Sequence, residues 1–258
     1  GFARHEISTV MHTLSGHPTA SILLRTFPAE HELGPIMNDA RHFNRLAILG
    51  GVVATPYGPF IGTRFTIHHD LAPDWYVVEL ICTAIQFNTQ PAQLITAPAK
   101  DEFDVDPNAI RWTEKDFKWA AKSLGRHANV EVDGRSLTLE IPLGEDRTAA
   151  FRLSARHHPQ IGPGLFGLLS VPFSIDEERE VGVEAQLNFL EFEPSPTGPP
   201  CLGAWCVNSG HPTSYATFVP ASVEADYLPY YLSMWAMERA HLASRRFVEA
   251  VKAVSLSG

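Results

Sequence analysis

The run Val130-Glu131-Val132-Asp133-Gly134-Arg135-Ser136-Leu137-Thr138-Leu139-Glu140-Ile141 decides the fold class. Apolar and polar residues alternate on either side of Asp133-Gly134, and a period of two marks a strand with one buried face. Asp-Gly suits a type I′ hairpin turn, whose two central residues both need positive φ. Leu137, Leu139 and Ile141 are therefore expected to face a core, with Ser136, Thr138 and Glu140 facing water. Thr148–Arg156 repeats the pattern, with Ala149, Phe151, Leu153 and Ala155 on its apolar side.

Working outward, Ala20–Phe27, Phe43–Thr55, Arg64–His69 and Trp75–Phe87 also read as strands, rich in branched and aromatic residues between Pro and Gly. Trp75–Phe87 is apolar on both faces, as in a strand covered on both sides. Val181–Glu193 reads as a strand with Val183, Ala185, Leu187 and Phe189 on one face. Glu191 falls in the same phase, so either it points into a cavity or a bulge near Leu190 re-aims the chain. Helices are few. Thr113 and Asp116 form a capping box, with Trp112 and Phe117 as a hydrophobic staple, which predicts a helix over Glu114–Leu124. Ala29–Ala40 is a shorter, Pro-interrupted candidate. Residues 228–254 carry Tyr231, Met234, His241, Arg245 and Val248 at helical steps and read as a long amphipathic helix, with a break near Pro229 left open. The expected fold is mainly β: an antiparallel β-barrel or barrel-like sandwich with one short and one long C-terminal helix. One domain spans residues 1–258, and the residues before Met11 are set aside as a leader or appended segment.

Composition narrows the partners. With 29 acidic against 20 basic residues the net charge is −9, which repels a phosphate backbone, so no nucleic-acid partner is expected. A hydrophobic share of 45% excludes extensive disorder. Cys82, Cys201 and Cys206 are too few for a disulfide framework and read as reduced thiols, with a Cys201–Cys206 bridge as the alternative. The longest uncharged apolar run, 46–54, is too short for a bilayer and is interrupted by Gly50-Gly51. These features predict a cytoplasmic protein with no membrane partner and leave a homo-oligomer open.

Several residues could carry chemistry. Gly162-Pro163-Gly164-Leu165-Phe166-Gly167 has the letters of a dinucleotide fingerprint, but Pro159 and Pro163 precede or interrupt it, one amide donor is missing, and Leu168–Phe173 looks like a strand where a helix is needed, so it reads as a loop and no cofactor is expected. In His68-His69 and His157-His158, neighbours on a strand point to opposite faces, so each pair offers one imidazole to a site, His69 and His157. The expectation is solvated or hydrogen-bonded strand-end histidines and no metal. Glu79 stands alone among Val77, Val78, Leu80 and Ile81. A buried carboxylate must find a cation or keep its proton, so Glu79 is either a general acid/base or the partner of Arg64 or Arg152. Lys100, after Pro98-Ala99, is either a Schiff-base lysine with a depressed pKa or a surface residue paired with Asp101-Glu102.

The turn Thr55-Pro56-Tyr57-Gly58-Pro59-Phe60 between two apolar strands, with Pro91-Ala92, Pro98-Ala99-Lys100 and Phe103-Asp104 downstream, resembles the acetoacetate decarboxylase-like family over residues 20–104. The family carries a glutamate after the aromatic of the turn, where this chain has Gly62, and its lysine directly follows proline, where Ala99 intervenes here. The resemblance implies a β-barrel with an apolar pocket and a lysine imine that draws electrons from a β-keto acid. The resulting expectation is a lyase acting on a small apolar keto-acid or polyketide-like metabolite. Lys100 would be the imine candidate, Glu79 and Glu191 the acid/base groups, and Arg64, His69, His157, Phe60 and Tyr57 the substrate contacts. Two alternatives stay open: a cofactor-independent cyclase or dehydratase, and a non-catalytic carrier of an apolar ligand.

Overall fold

The computed structural model describes residues 3–15, 17–31, 44, 49–55, 57–68, 74–88, 111–144, 146–158, 162–223 and 227–257, and among these residues it has ten strands and four α-helices. In chain order they are β1 (Arg4–Leu14), β2 (His17–Phe27), β3 (Gly51–Val53), β4 (Phe60–His68), α1 (Asp74–Asn88), α2 (Glu114–Leu124), β5 (Asn129–Asp133) and β6 (Ser136–Gly144). There follow β7 (Arg147–His158), β8 (Gly162–Val171), α3 (Glu180–Phe192), β9 (Gly203–Cys206), β10 (Thr213–Pro220) and α4 (Leu228–Ser257). The protein is mainly β, as the alternation predicts, in two antiparallel sheets ordered β1-β2-β4-β3 and β5-β6-β7-β8-β10-β9. Neither sheet closes into a barrel. An isolated antiparallel bridge joins them: Arg64 N–H donates to the Cys201 carbonyl at 3.1 Å, and Cys201 N–H donates back to Arg64 at 2.7 Å.

The six-stranded sheet follows the pattern of the β5–β6 hairpin at one of its edges. Leu137, Leu139, Ile141, Ala149, Phe151 and Leu153 are all buried. Leu139, Phe151, Leu169, Tyr215 and Trp205 lie directly opposite one another in a row across five strands. Burying each large apolar side chain in that row contributes about 1.5–3 kcal/mol. The hairpin turn differs from the expectation in one respect. Asp133 pairs with Ser136, so Gly134-Arg135 forms the two-residue loop, and only Gly134 has positive φ, at 55°. Residues 162–167, expected as a loop, are instead the first part of β8, and the strand continues through Val171 with no helix following the glycines. Residues 4–10, among those set aside as a leader or appended segment, are instead part of β1, which pairs with β2 along its whole length.

Two segments expected as strands are helices. Trp75–Phe87 lies within α1. An apolar run without alternation fits a buried helix as well as a strand, and a span of 15 residues is helical in length. Val181–Glu193 is α3 together with its C-cap. Its buried residues, Glu180, Val183, Glu184, Leu187, Asn188 and Glu191, recur at steps of three and four, so Glu191 faces inward by helical phase and no bulge is needed. Of Phe43–Thr55, only Gly51–Val53 is strand among the described residues. Most of Ala29–Ala40 lies outside them.

The helix starts follow local chemistry. At α2 the Thr113 amide donates to the Asp116 carboxylate at 2.7 Å, while Trp112 and Phe117 are both buried, the expected box and staple. In α4 Pro229 sits in the first turn, where its missing N–H has no helical acceptor to satisfy, and the helix runs on unbroken. The buried stripe of α4 is Leu228, Leu232, Trp235, Ala236, Arg239, Ala243, Arg246 and Ala250. His241, Arg245 and Val248, on the stripe read from sequence, are exposed. Small alanines let α4 lie close to the sheet, and that approach carries two arginines inward.

Candidate functional site

Where α3 and α4 meet the row of aromatics, a charge cluster is sealed inside the protein. Glu191 Oε1 accepts hydrogen bonds from Arg239 Nε at 3.0 Å and Nη2 at 2.9 Å. Oε2 accepts from Trp205 Nε1 at 3.2 Å and from Arg246 Nη1. The Glu191 side chain is fully buried, and those of Arg239 and Arg246 are 4% and 7% exposed. Arg239 also donates to the Pro200 carbonyl at 2.6 Å and lies over the Tyr215 ring at 3.8 Å, a cation–π contact. Seven residues separate Arg239 from Arg246, two helical turns, so both reach the same carboxylate from one face. Trp205 and Tyr215 are directly opposed on β9 and β10, with rings 5.3 Å apart, and this pairing aims the indole N–H at Glu191.

Arg64 enters from the other sheet. Its Nε donates to the Glu191 backbone carbonyl at 3.2 Å, Nη2 to Pro199 at 2.8 Å and Nη1 to Thr66 Oγ1 at 3.1 Å. The Glu191 carbonyl belongs to the last turn of α3, so a buried cation meets the negative end of a helix. Carbonyl dipoles thus answer the charge of Arg64. Arg239 and Arg246 share a single carboxylate.

The electrostatics follow from this packing. Burial alone would raise the Glu191 pKa, but Arg239, Arg246 and Arg64 outweigh it and hold the carboxyl at about 2. Burial is also the largest effect on Arg239 and acts to lower its pKa, but Glu191 and then Tyr215 overcome it and the net direction is upward. Burial, reinforced by Glu191, pushes the Cys201 thiol up to about 11, so it stays protonated at neutral pH. Burial raises the Tyr215 phenol well above its ordinary value. Glu191 is consequently a fixed anion with no proton to exchange near pH 7, and Cys201 is no nucleophile. The chemically available feature is cationic: beside Arg239 a cavity of about 10 Å³, the size of one water, is walled by Phe151, Leu169, Leu202, Leu232 and Trp235.

The residues singled out by sequence fall as follows. Arg64 and Glu191 come together in the cluster. Phe60 is buried and stacks edge-on against Phe192, beside Glu191, at 5.1 Å. Tyr57 is fully exposed in its turn. Glu79 is half-buried on α1 and is not a partner of Arg64. His157 is half-buried at the end of β7, and its neighbour His158 is the buried member of the pair, with its ring 5.3 Å from Phe218. Burial, then the neighbouring His157, lowers the His158 pKa to about 4. Lys100 and His69 lie outside the described residues. Cys82, Cys201 and Cys206 are free thiols. Among the described residues no group of three or more His, Cys, Asp or Glu is placed to hold a metal ion, and no helix is long and apolar enough to cross a membrane.

Arg239, Arg246, Trp205 and Tyr215 were not singled out from sequence. The signal was present: Leu228, Leu232, Trp235, Ala236, Ala243 and Ala250 define a stripe in which Arg239 and Arg246 fall in phase. A second cleft, of about 270 Å³, opens between α2 and the start of α4, where the Trp119 and Tyr227 rings pack at 4.7 Å. No protein-family model matches this chain, and neither does any curated protein or solved structure.

Proposed function

We propose that this chain binds a small carboxylic acid with an apolar tail, of the keto-acid or polyketide-like class, and acts on it as a lyase. The observation that carries the reading is the charge imbalance at Arg239 and Arg246, two buried guanidiniums on one carboxylate. A guanidinium recognises a carboxylate by paired hydrogen bonds, and a site closed to water strengthens that recognition. Arg239 also forms one wall of the apolar cavity, so a carboxylate bound there would lay its tail against Phe151, Leu169 and Trp235. The cavity has room for a single water only, so the reading requires its wall to open for a substrate.

The bond-breaking step rests on Lys100 and on the resemblance of residues 20–104 to the acetoacetate decarboxylase-like family. The Lys100 amine would attack the ketone and release water. The iminium would then accept the electron pair left as carbon dioxide departs. Glu191, held ionised, serves in this scheme as a positioning residue for Arg239.

A carrier that binds the same acid without changing it is the second reading, favoured because Glu191, the carboxylate among the described residues of the cluster, is held ionised. Borohydride trapping with acetoacetate separates the two. A reduced adduct on Lys100, lost in Lys100→Ala, is the expected result. Saturable binding of acetoacetate without an adduct would leave the carrier. If binding is unchanged in Arg239→Met, both readings fail.

A further inference from the structure

We propose that the outer edge of β1 pairs with the same edge of a second copy of this chain, antiparallel about Thr9, joining two four-stranded sheets into one of eight. Among the described residues β1 is the outermost strand of its sheet, and it is matched to β2 from Arg4 to Leu14 without a bulge. Its other side is a long row of backbone donors and acceptors, the usual template for strand addition. Proteins that keep such an edge to themselves shorten it, kink it or place charges along it. The outer strand of the other sheet does so: β5 is five residues long and exposes Asn129, Glu131 and Asp133. β1 has 11 residues and no proline, and its charged residues, Arg4 and Glu6, stand at its first turn of the pleat. Beyond them it exposes Ile7 by 56% and Met11 by 65%.

The choice of a second copy comes from the sequence of the strand itself. Pairing about Thr9 sets Ile7 opposite Met11 of the second copy, and Met11 opposite its Ile7, which covers both exposed apolar side chains. Glu6 then faces His12, Thr9 faces Thr9, and Ser8 faces Val10. No like charges meet. All opposed residues share a face, because their numbers differ by an even step and strand side chains alternate. Moving the centre by one residue, to Ser8 or Val10, sets Ile7 against a threonine and leaves Met11 without an apolar partner. The result is a two-fold, self-complementary interface.

The test uses the full chain and its mass by light scattering. The expected mass is that of a dimer. Ile7→Lys with Met11→Lys sets like charges opposite one another and should give a monomer with unchanged circular dichroism. Ile7→Lys with Met11→Glu restores attraction in this register alone and should return the dimer. In a Cys82→Ser background, which removes the exposed thiol, Thr9→Cys should form a reducible cross-link, since directly opposed strand residues lie about 4.5–5.5 Å apart. A monomeric wild type at about 100 μM would overturn the proposal. So would a dimer untouched by the double lysine variant, or one that Thr9→Cys cannot cross-link.

Discussion

Replacing Glu191 by Gln removes one negative charge from the cluster and leaves its shape nearly intact. The carboxyl pKa is about 2 in the folded protein against an ordinary value of 4.5. At about 1.4 kcal/mol per unit, that difference stabilises the fold by about 3 kcal/mol near neutral pH. The same figure follows from the packing, since breaking a buried ion pair by removing one partner costs about 3–5 kcal/mol. In addition, the Gln amide would turn a donor toward the donors of Arg246 or Trp205. Because the folded pKa is the depressed one, the stabilisation is complete above pH 4.5 and is lost as pH falls toward 2. At pH 3 only about 1 kcal/mol of it remains. Urea unfolding of wild type and Glu191→Gln at pH 7 and pH 3 measures both quantities. The variant should be less stable at pH 7, and the gap should narrow by about 2 kcal/mol at pH 3. A gap equal at the two pH values, or below about 1 kcal/mol at pH 7, would refute the reasoning, because the arginines would then not be holding the carboxyl ionised.

Three further outcomes follow from positions already described. Gly203→Ala places a Cβ 1.9 Å from the Ala216 carbonyl oxygen, a backbone atom that can yield only if β9 parts from β10. Its thermal melt should show a loss at or beyond the top of the ~1–3 kcal/mol range for overpacking. Thiol titration of the native protein should find Cys82 quickly and reach Cys201 and Cys206 only after unfolding, since both are buried. His158 should titrate near pH 4 by nuclear magnetic resonance. Its neutral form is favoured in the folded state, so stability should decline as pH falls from 6.5 toward 4, where the unfolded chain takes up the proton first. A normal titration near 6.5 would contradict its burial.

The β5-β6-β7 part of the six-stranded sheet was legible because period-two alternation and the Asp133-Gly134 turn are local signals that agree with each other, whereas the glycines and proline of 162–167 hid the start of β8. The start of α2 was legible for the same reason, in its box and staple. α1 and α3 were not. A segment apolar all round carries no period to read, and in α3 the glutamates that break a strand pattern are the residues that complete a helical one. The open form of the sheets is also a long-range property, fixed by which edges meet, and no local pattern encodes it. At the candidate site, sequence singled out Glu191 because it falls in phase with an apolar face, and Arg64 only as a partner for Glu79 or a substrate contact, so it did not foresee Arg64 beside Glu191. It passed over Arg239 and Arg246 because they share α4 with several exposed charges, and only the alanine stripe distinguishes them.

The carboxylate at the centre of the cluster is 48 residues from Arg239 and 55 from Arg246 along the chain. As the ribosome releases the chain from its beginning, Arg64, Glu191 and Trp205 all emerge before either counter-cation exists in folded form. Desolvating that carboxyl group early would be costly, so the interior cannot dry out around it until α4 has been made. Closure of this core is thereby tied to the synthesis of α4 by one acidic side chain.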